Sequence, residues 1–146
     1  LKSDFNIDLK SGNSVVDLGL DVGSGARRST KKFKSRVLKS IRRLQKTRCF
    51  VKKCHKAKIL IRTGSEASWR YGVEAYGATD STLNQIRSST AAATGVGGVQ
   101  GCPITTVLCE LGVEGDPLTV ATQHSLSWWI GNWTNSPTLK SVLTKA

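Results

Sequence analysis

The chain has 146 residues, 38% of them hydrophobic, with a formal charge of +12 and a pI near 10.0, which suits one domain with a modest core. The charge is uneven: nineteen of the twenty-two Lys and Arg fall at or before Arg70, an asymmetry that marks a nucleic-acid or anionic-membrane face. Two uncharged windows, residues 88–109 and 117–139, are too rich in Ser, Thr and Gly to serve as bilayer-spanning helices. The chain opens at Leu1 and contains no Met, which reads as a processed chain or a fragment, and no charged segment leading into an apolar core opens it.

In chain order, residues 1–14 alternate short apolar and polar side chains and predict a strand and turn at most. In residues 15–22 the side chains of Val16, Leu18, Leu20 and Val22 alternate with Asp17, Gly19 and Asp21, the period of two that predicts a strand with one buried face. Gly23, Ser24 and Gly25 close it, and Ser29 or Thr30 is placed to cap a helix.

From Arg27 to Arg62 there are sixteen Lys or Arg and no Asp or Glu in thirty-six residues. Within this stretch Phe33, Val37, Ile41 and Leu44 recur at steps of four, four and three, which predicts one apolar helical face over residues 31–48. Lys32, Arg36, Lys39, Arg43 and Lys46 follow another face, with Arg27, Arg28 and Lys31 at the start and Lys52 and Lys53 beyond the end. The pattern breaks around residues 49–54. It resumes as a second, shorter basic helix over residues 55–64, with Ala57, Leu60 and Ile61 inward and Gly64 as the stop.

Residues 65–77 carry Ala67, Trp69, Tyr71, Val73 and Tyr76 and read as helical across Gly72. Asp80 is the expected cap of a helix in which Leu83, Ile86 and Arg87 precede the small-residue run Ala91, Ala92, Ala93, ending at Gly95. Residues 95–101 are glycine-rich but lack the Lys and Ser/Thr of a phosphate loop, and read as a connector. A short helix is expected over residues 105–112. Asp116 followed by Pro117 signals a helix running to Trp133, and Ser136 with Pro137 signals a last one.

Cys49 and Cys54-His55 form one cluster and Cys102 with Cys109 another. The first has spacing wider than structural zinc pairs and sits at a helix end among positive charge. Zinc, a disulfide and small buried or half-buried thiols are the alternatives, the last favoured, and no metal or cofactor is assigned.

The order Val16-Asp17-Leu18-Gly19-Leu20-Asp21-Val22, a glycine turn, a basic helix, Arg62-Thr63-Gly64, then Tyr71-Gly72-Val73-Glu74-Ala75-Tyr76-Gly77 resembles the region after the palm of protist-type non-LTR retrotransposon reverse transcriptases. The resemblance spans about residues 15–95. It implies a thumb that holds an RNA–DNA template–primer. The polymerase chemistry of that family uses an aromatic-x-Asp-Asp pair holding two magnesium ions, which these residues lack. Asp17 and Asp21 share the solvent side of the presumed strand and read as solvated carboxylates. His55 lies among lysines and His124 beside Ser125, with no acid at triad spacing for either, so no catalytic residue is assigned.

The expected fold is therefore mainly α: a small helical bundle preceded by one or two short β-strands. Residues 1–95 form the strand and basic thumb-like region, and 96–146 the connector and C-terminal helices, packed on the same core. The expected function is sequence-independent nucleic-acid binding, since no base-reading pattern accompanies the charge. About five to eight phosphate contacts give a slope of log affinity on log salt of about −4 to −7 for duplex. The alternative is a structural subunit of a ribonucleoprotein or membrane-associated assembly, with Trp128, Trp129 and Trp133 as its protein or membrane interface. A retroelement product implies the nucleus, a processed assembly subunit an organelle.

Overall fold

Between Lys31 and Lys53 there is no Gly and no Pro, and Lys, Arg, Leu and Gln dominate, all strong helix formers. In the computed structural model, which describes residues 14–17, 20–23, 30–96 and 101–135, this stretch is one 23-residue helix, α1 (Lys31–Lys53). The break expected at residues 49–54 falls only at Cys54, whose backbone is extended at φ −144 and ψ 109. Cys49 to Lys53 stay helical because Val51 is buried and anchors the last turn.

The chain divides into two units, residues 1–35 and 36–146. In the first, the single strand expected over residues 15–22 is replaced by two four-residue strands, β1 (Ser14–Asp17) and β2 (Leu20–Gly23), paired antiparallel with Val15 opposite Val22 and Asp17 opposite Leu20. An unpaired strand would leave its whole backbone without partners, and folding back on itself satisfies part of it. Of the strand and turn expected over residues 1–14, all but Ser14, which opens β1, lie outside the described residues, as do the candidates Arg27 and Arg28.

The second unit is a helical bundle. After α1 the chain runs through a 3-10 turn, His55–Lys58, and a π-helical segment, Ile61–Glu66, into α2 (Ala67–Arg70). The second basic α-helix expected over residues 55–64 is thus irregular, and Gly64 lies inside the π segment instead of stopping it. Ile61 is buried as expected, but Leu60 is 43% exposed and Lys58 is buried in place of Ala57. The helix expected through Gly72 is interrupted there: Gly72 adopts φ 84, a left-handed conformation natural to glycine, before α3 (Val73–Tyr76). Trp69 and Val73 are buried, Tyr71 is exposed, and the side chain of Tyr76 lies outside the described residues.

The helix α4 (Asp80–Ala93) is capped by Thr79, whose hydroxyl accepts from the Thr82 N–H, so Asp80 occupies the first turn and is not the cap. Leu83, Ile86, Arg87, Ala91 and Ala93 are buried. Gly95, at φ 79, lies against Val51 of α1. The connector at residues 97–100 lies outside the described residues. Beyond it, α5 (Pro103–Leu111) starts two residues before the expected position, with Pro103 in its first turn, and a 3-10 turn Val113–Gly115 leads to α6 (Pro117–Asn135). Asp116 caps α6 as expected, accepting from the Thr119 N–H. The last helix expected from Ser136 lies outside the described residues.

Helix α4 packs on α5 and α6, and α3 packs on α6. The core joins Leu44 of α1 to Ile61, Ala93 and Leu111, and Val37, Trp69, Val73, Ile86, Val107 and Val120 extend it. Each such large apolar side chain contributes about 1.5 to 3 kcal/mol of burial. A buried ion pair ties α4 to the start of α6: Arg87 Nε donates to Asp116 Oδ1 at 2.6 Å and Nη2 to Oδ2 at 2.8 Å.

Candidate nucleic-acid interface

Eleven of the 23 residues of α1 are Lys or Arg and none is acidic. Like charges at i and i+4, such as Lys39 with Arg43 and Arg42 with Lys46, cost an isolated helix about 0.2 to 0.5 kcal/mol each. The helix is held instead by its packed face, which consists of Val37, Ser40, Leu44, Thr47 and Val51 at alternating steps of three and four. This differs from the expected face: Phe33 and Ile41 are only half-buried, and Ser40 and Thr47 take the inner positions. Two hydroxyls fit there because the Ser40 Oγ donates to the Ser65 carbonyl at 2.9 Å and the Thr47 Oγ1 donates to the Arg43 carbonyl at 3.0 Å.

The π segment leaves carbonyls facing α1, and arginines reach them. Arg43 Nη1 donates to the Gly64 carbonyl at 3.0 Å. Past the end of α2, Arg36 Nη1 donates to the Tyr71 carbonyl at 2.9 Å and its guanidinium lies 4.7 Å from the Tyr71 ring centroid. Of the five side chains expected on one phosphate-facing lane, Arg36 and Arg43 thus take part in the fold. Lys39 and Lys46 remain on the solvent face, and Lys53 continues their lane at the same seven-residue interval, about 10.5 Å per step. Arg42, also exposed, lies beside them at three positions from Lys39. Lys52 is exposed on a flank, and Lys31 and Lys32 are exposed in the first turn of α1, within the N-terminal unit.

Four of the six acids of the second unit sharpen this face by pairing elsewhere. Lys58 pairs with Glu110, Arg62 with Glu114, Arg70 with Glu66 and Arg87 with Asp116. The second half of the basic stretch is therefore partly neutralised. Among the described residues, none of Lys39, Arg42, Lys46, Lys52 and Lys53 has an ion-pair partner. Two residues of this surface escaped the sequence reading, Arg42 and Phe50. Phe50 is 59% exposed and lies four residues after Lys46 and three before Lys53. The signal for it was the absence of Gly or Pro up to Lys53, which continues the helical lanes through residue 50.

Elsewhere, Trp128 and Trp129 on α6 are 51% and 52% exposed, and Trp133 is half-buried with its ring stacked on Trp129 at 5.3 Å. The four cysteines are free thiols and all exposed, against the buried or half-buried state expected. Among the described residues no group of three His, Cys, Asp or Glu converges on one point, and no helix is long and apolar enough to cross a membrane. Two open grooves, of about 290 Å3 between α1 and α4 and about 300 Å3 between α3, α4 and α6, each carry a single charged side chain, Arg48 and Asp80. Neither brings together the pair of groups that acid–base chemistry uses. Comparison with protein-family models, with characterised proteins and with solved structures finds no match for this chain.

Proposed function

We propose that the solvent face of α1 from Arg36 to Lys53 grips nucleic acid through its phosphates, independently of sequence and without catalysis, as the thumb of a non-LTR reverse transcriptase grips RNA or an RNA–DNA hybrid. On this proposal the paired segments β1 and β2 stand where that family carries its short strand ahead of the thumb helix. The observation that supports it most is the row Lys39, Arg42, Lys46 and Lys53, exposed and without ion pairs, on a helix lacking any acid whose other face is fixed in the core. A helix so charged repels itself, and a polyanion relieves that repulsion while releasing its own counterions.

About four to five phosphate contacts give a salt slope of about −4 on duplex or hybrid. Replacing Lys39, Lys46 and Lys53 together by Gln flattens the slope by about 2 to 3. Fluorescence anisotropy across a salt series measures both, with anionic liposomes as the comparison. Nucleic acid binding no better than liposomes, or a triple variant with an unchanged slope, ends the proposal.

A second reading rests on α6. A helix that leaves Trp128, Trp129 and Ile130 more than half exposed offers a protein contact in an assembly. A chain that stays monomeric and co-purifies with nothing counts against it.

A further inference from the structure

The basic face of α1 is not uniformly polar. Phe50 stands on it with 59% of its surface exposed, although its neighbour Val51 is buried at 6%. By helical spacing Phe50 follows Arg43 at seven residues and Lys46 at four, so cations border it along the axis, and Lys53 closes the next turn. At the other end of the same lane Arg36 lies against the ring of Tyr71, which is 47% exposed. Arg36 and Phe50 are fourteen residues apart, about 21 Å along the helix. That span corresponds to about six nucleotides at the 3.4 Å per phosphate of one stacked strand.

A partner for this surface must offer anionic groups and flat apolar faces within a few ångströms of each other. A duplex offers the first and hides the second inside its stack. A purely apolar protein surface would desolvate the lysines without pairing them. A single strand supplies both, because its phosphates alternate with bases whose faces are free to stack on an aromatic ring.

We infer that the Arg36–Lys53 face binds single-stranded RNA or DNA, with a base stacked on Phe50 and phosphates held by Lys39, Arg42, Lys46 and Lys53. This rests on the nucleic-acid proposal above and narrows the form of the ligand. Phe50 makes the discrimination between strand and duplex, and the lysines supply affinity common to both.

The test is anisotropy across a salt series with labelled oligouridylate, oligodeoxyuridylate, a duplex of equal length and anionic vesicles. It uses the full chain and its Phe50→Ala, Phe50→Leu and Lys39/Lys46/Lys53→Gln variants, with circular dichroism to show that each keeps its helix content. Single strands are expected to bind more tightly than duplex. Phe50→Ala is expected to weaken single-strand binding by about 5- to 150-fold with the salt slope unchanged. Phe50→Leu, which keeps apolar bulk without the ring, is expected to fall near Phe50→Ala, and duplex binding is expected to stay within about twofold. Phe50→Ala acting equally on strand and duplex, or on neither, overturns the stacking inference while leaving the phosphate-gripping proposal standing if the triple Gln variant weakens both. A silent triple variant, or vesicles binding as well as strands, overturns the two together. RNA and DNA strands binding alike supports recognition through base faces, whereas a strong preference for one sugar overturns it.

Discussion

Single residues in this chain are tuned by neighbours far away in sequence. Asp116 accepts hydrogen bonds from the Arg87 guanidinium, which outweigh the cost of its burial and hold its carboxyl below the ordinary range. A depressed carboxylate stabilises the fold above its unfolded value of about 3.9, and that contribution disappears as pH falls through the lower folded value. Asp116→Asn leaves Arg87 buried without its counter-charge and is expected to cost about 3 to 5 kcal/mol at neutral pH. It should also remove part of the acid-induced loss, which urea unfolding at pH 7 and pH 3 measures; parent and variant with equal midpoints at pH 7 would show the ion pair to be idle. Glu66 works in the opposite sense. Burial raises its carboxyl despite Arg70 and Arg62, so its ionisation costs stability as pH rises through that raised value.

Cys102 shows the same dependence at the surface. The N–H and hydroxyl of Thr105 and the N–H of Ile104, at the start of α5, hold its thiol below the ordinary value. With all four thiols exposed, alkylation near neutral pH followed by peptide mapping should label Cys102 ahead of Cys49, Cys54 and Cys109. Equal labelling rates would remove any role for the helix end. The sequence showed the Cys102–Cys109 spacing but not this difference, since the helix starts two residues early, at Pro103, and so makes Cys102 its N-cap residue.

At the scale of elements, α1 and the π segment define each other. Ser40 and Ser65 are fully buried, and the Ser40 hydroxyl is what satisfies the Ser65 carbonyl. Ser40→Ala strips that carbonyl of its side-chain partner in a dry contact and is expected to cost about 1 to 3 kcal/mol, read from the urea midpoint. Nucleic-acid affinity should be untouched, because Ser40 faces away from the lysine row. An unchanged midpoint would show that the π segment does not depend on this bond. Most of α1, the cap at Asp116 and the extent of α4 were legible from spacing and local helix signals. The inner positions of Ser40 and Thr47 were not, because apolar periodicity registers only apolar side chains. The carbonyl that makes Ser40 tolerable lies twenty-five residues away.

For the molecule as a whole, the charge of +12 is concentrated where no acid answers it. Screening should therefore stabilise the chain: the melting temperature is expected to rise as NaCl is raised from low to moderate concentration, the reverse of what exposed attractive ion pairs would give. The buried Arg87–Asp116 pair is screened far less and does not reverse the trend. A melting temperature that falls with salt would mean that Arg62–Glu114 and Arg70–Glu66 outweigh the repulsion along α1.

By itself the sequence determined that the chain is mainly helical, that its positive charge is gathered before residue 70, and which helix carries most of it, because composition and short-range spacing are local properties. Only the tertiary structure decided which of those cations remain available. Arg43 reaches the Gly64 carbonyl in the π segment and Arg36 the Tyr71 carbonyl past the end of α2, while Lys58, Arg62 and Arg70 meet carboxylates, two of them from residues beyond 100. Lys39, Arg42, Lys46 and Lys53 are left facing solvent beside Phe50 because the buried stripe of α1 points the other way. Burial and pairing depend on what another segment brings to within a few ångströms, and no spacing within one helix encodes that.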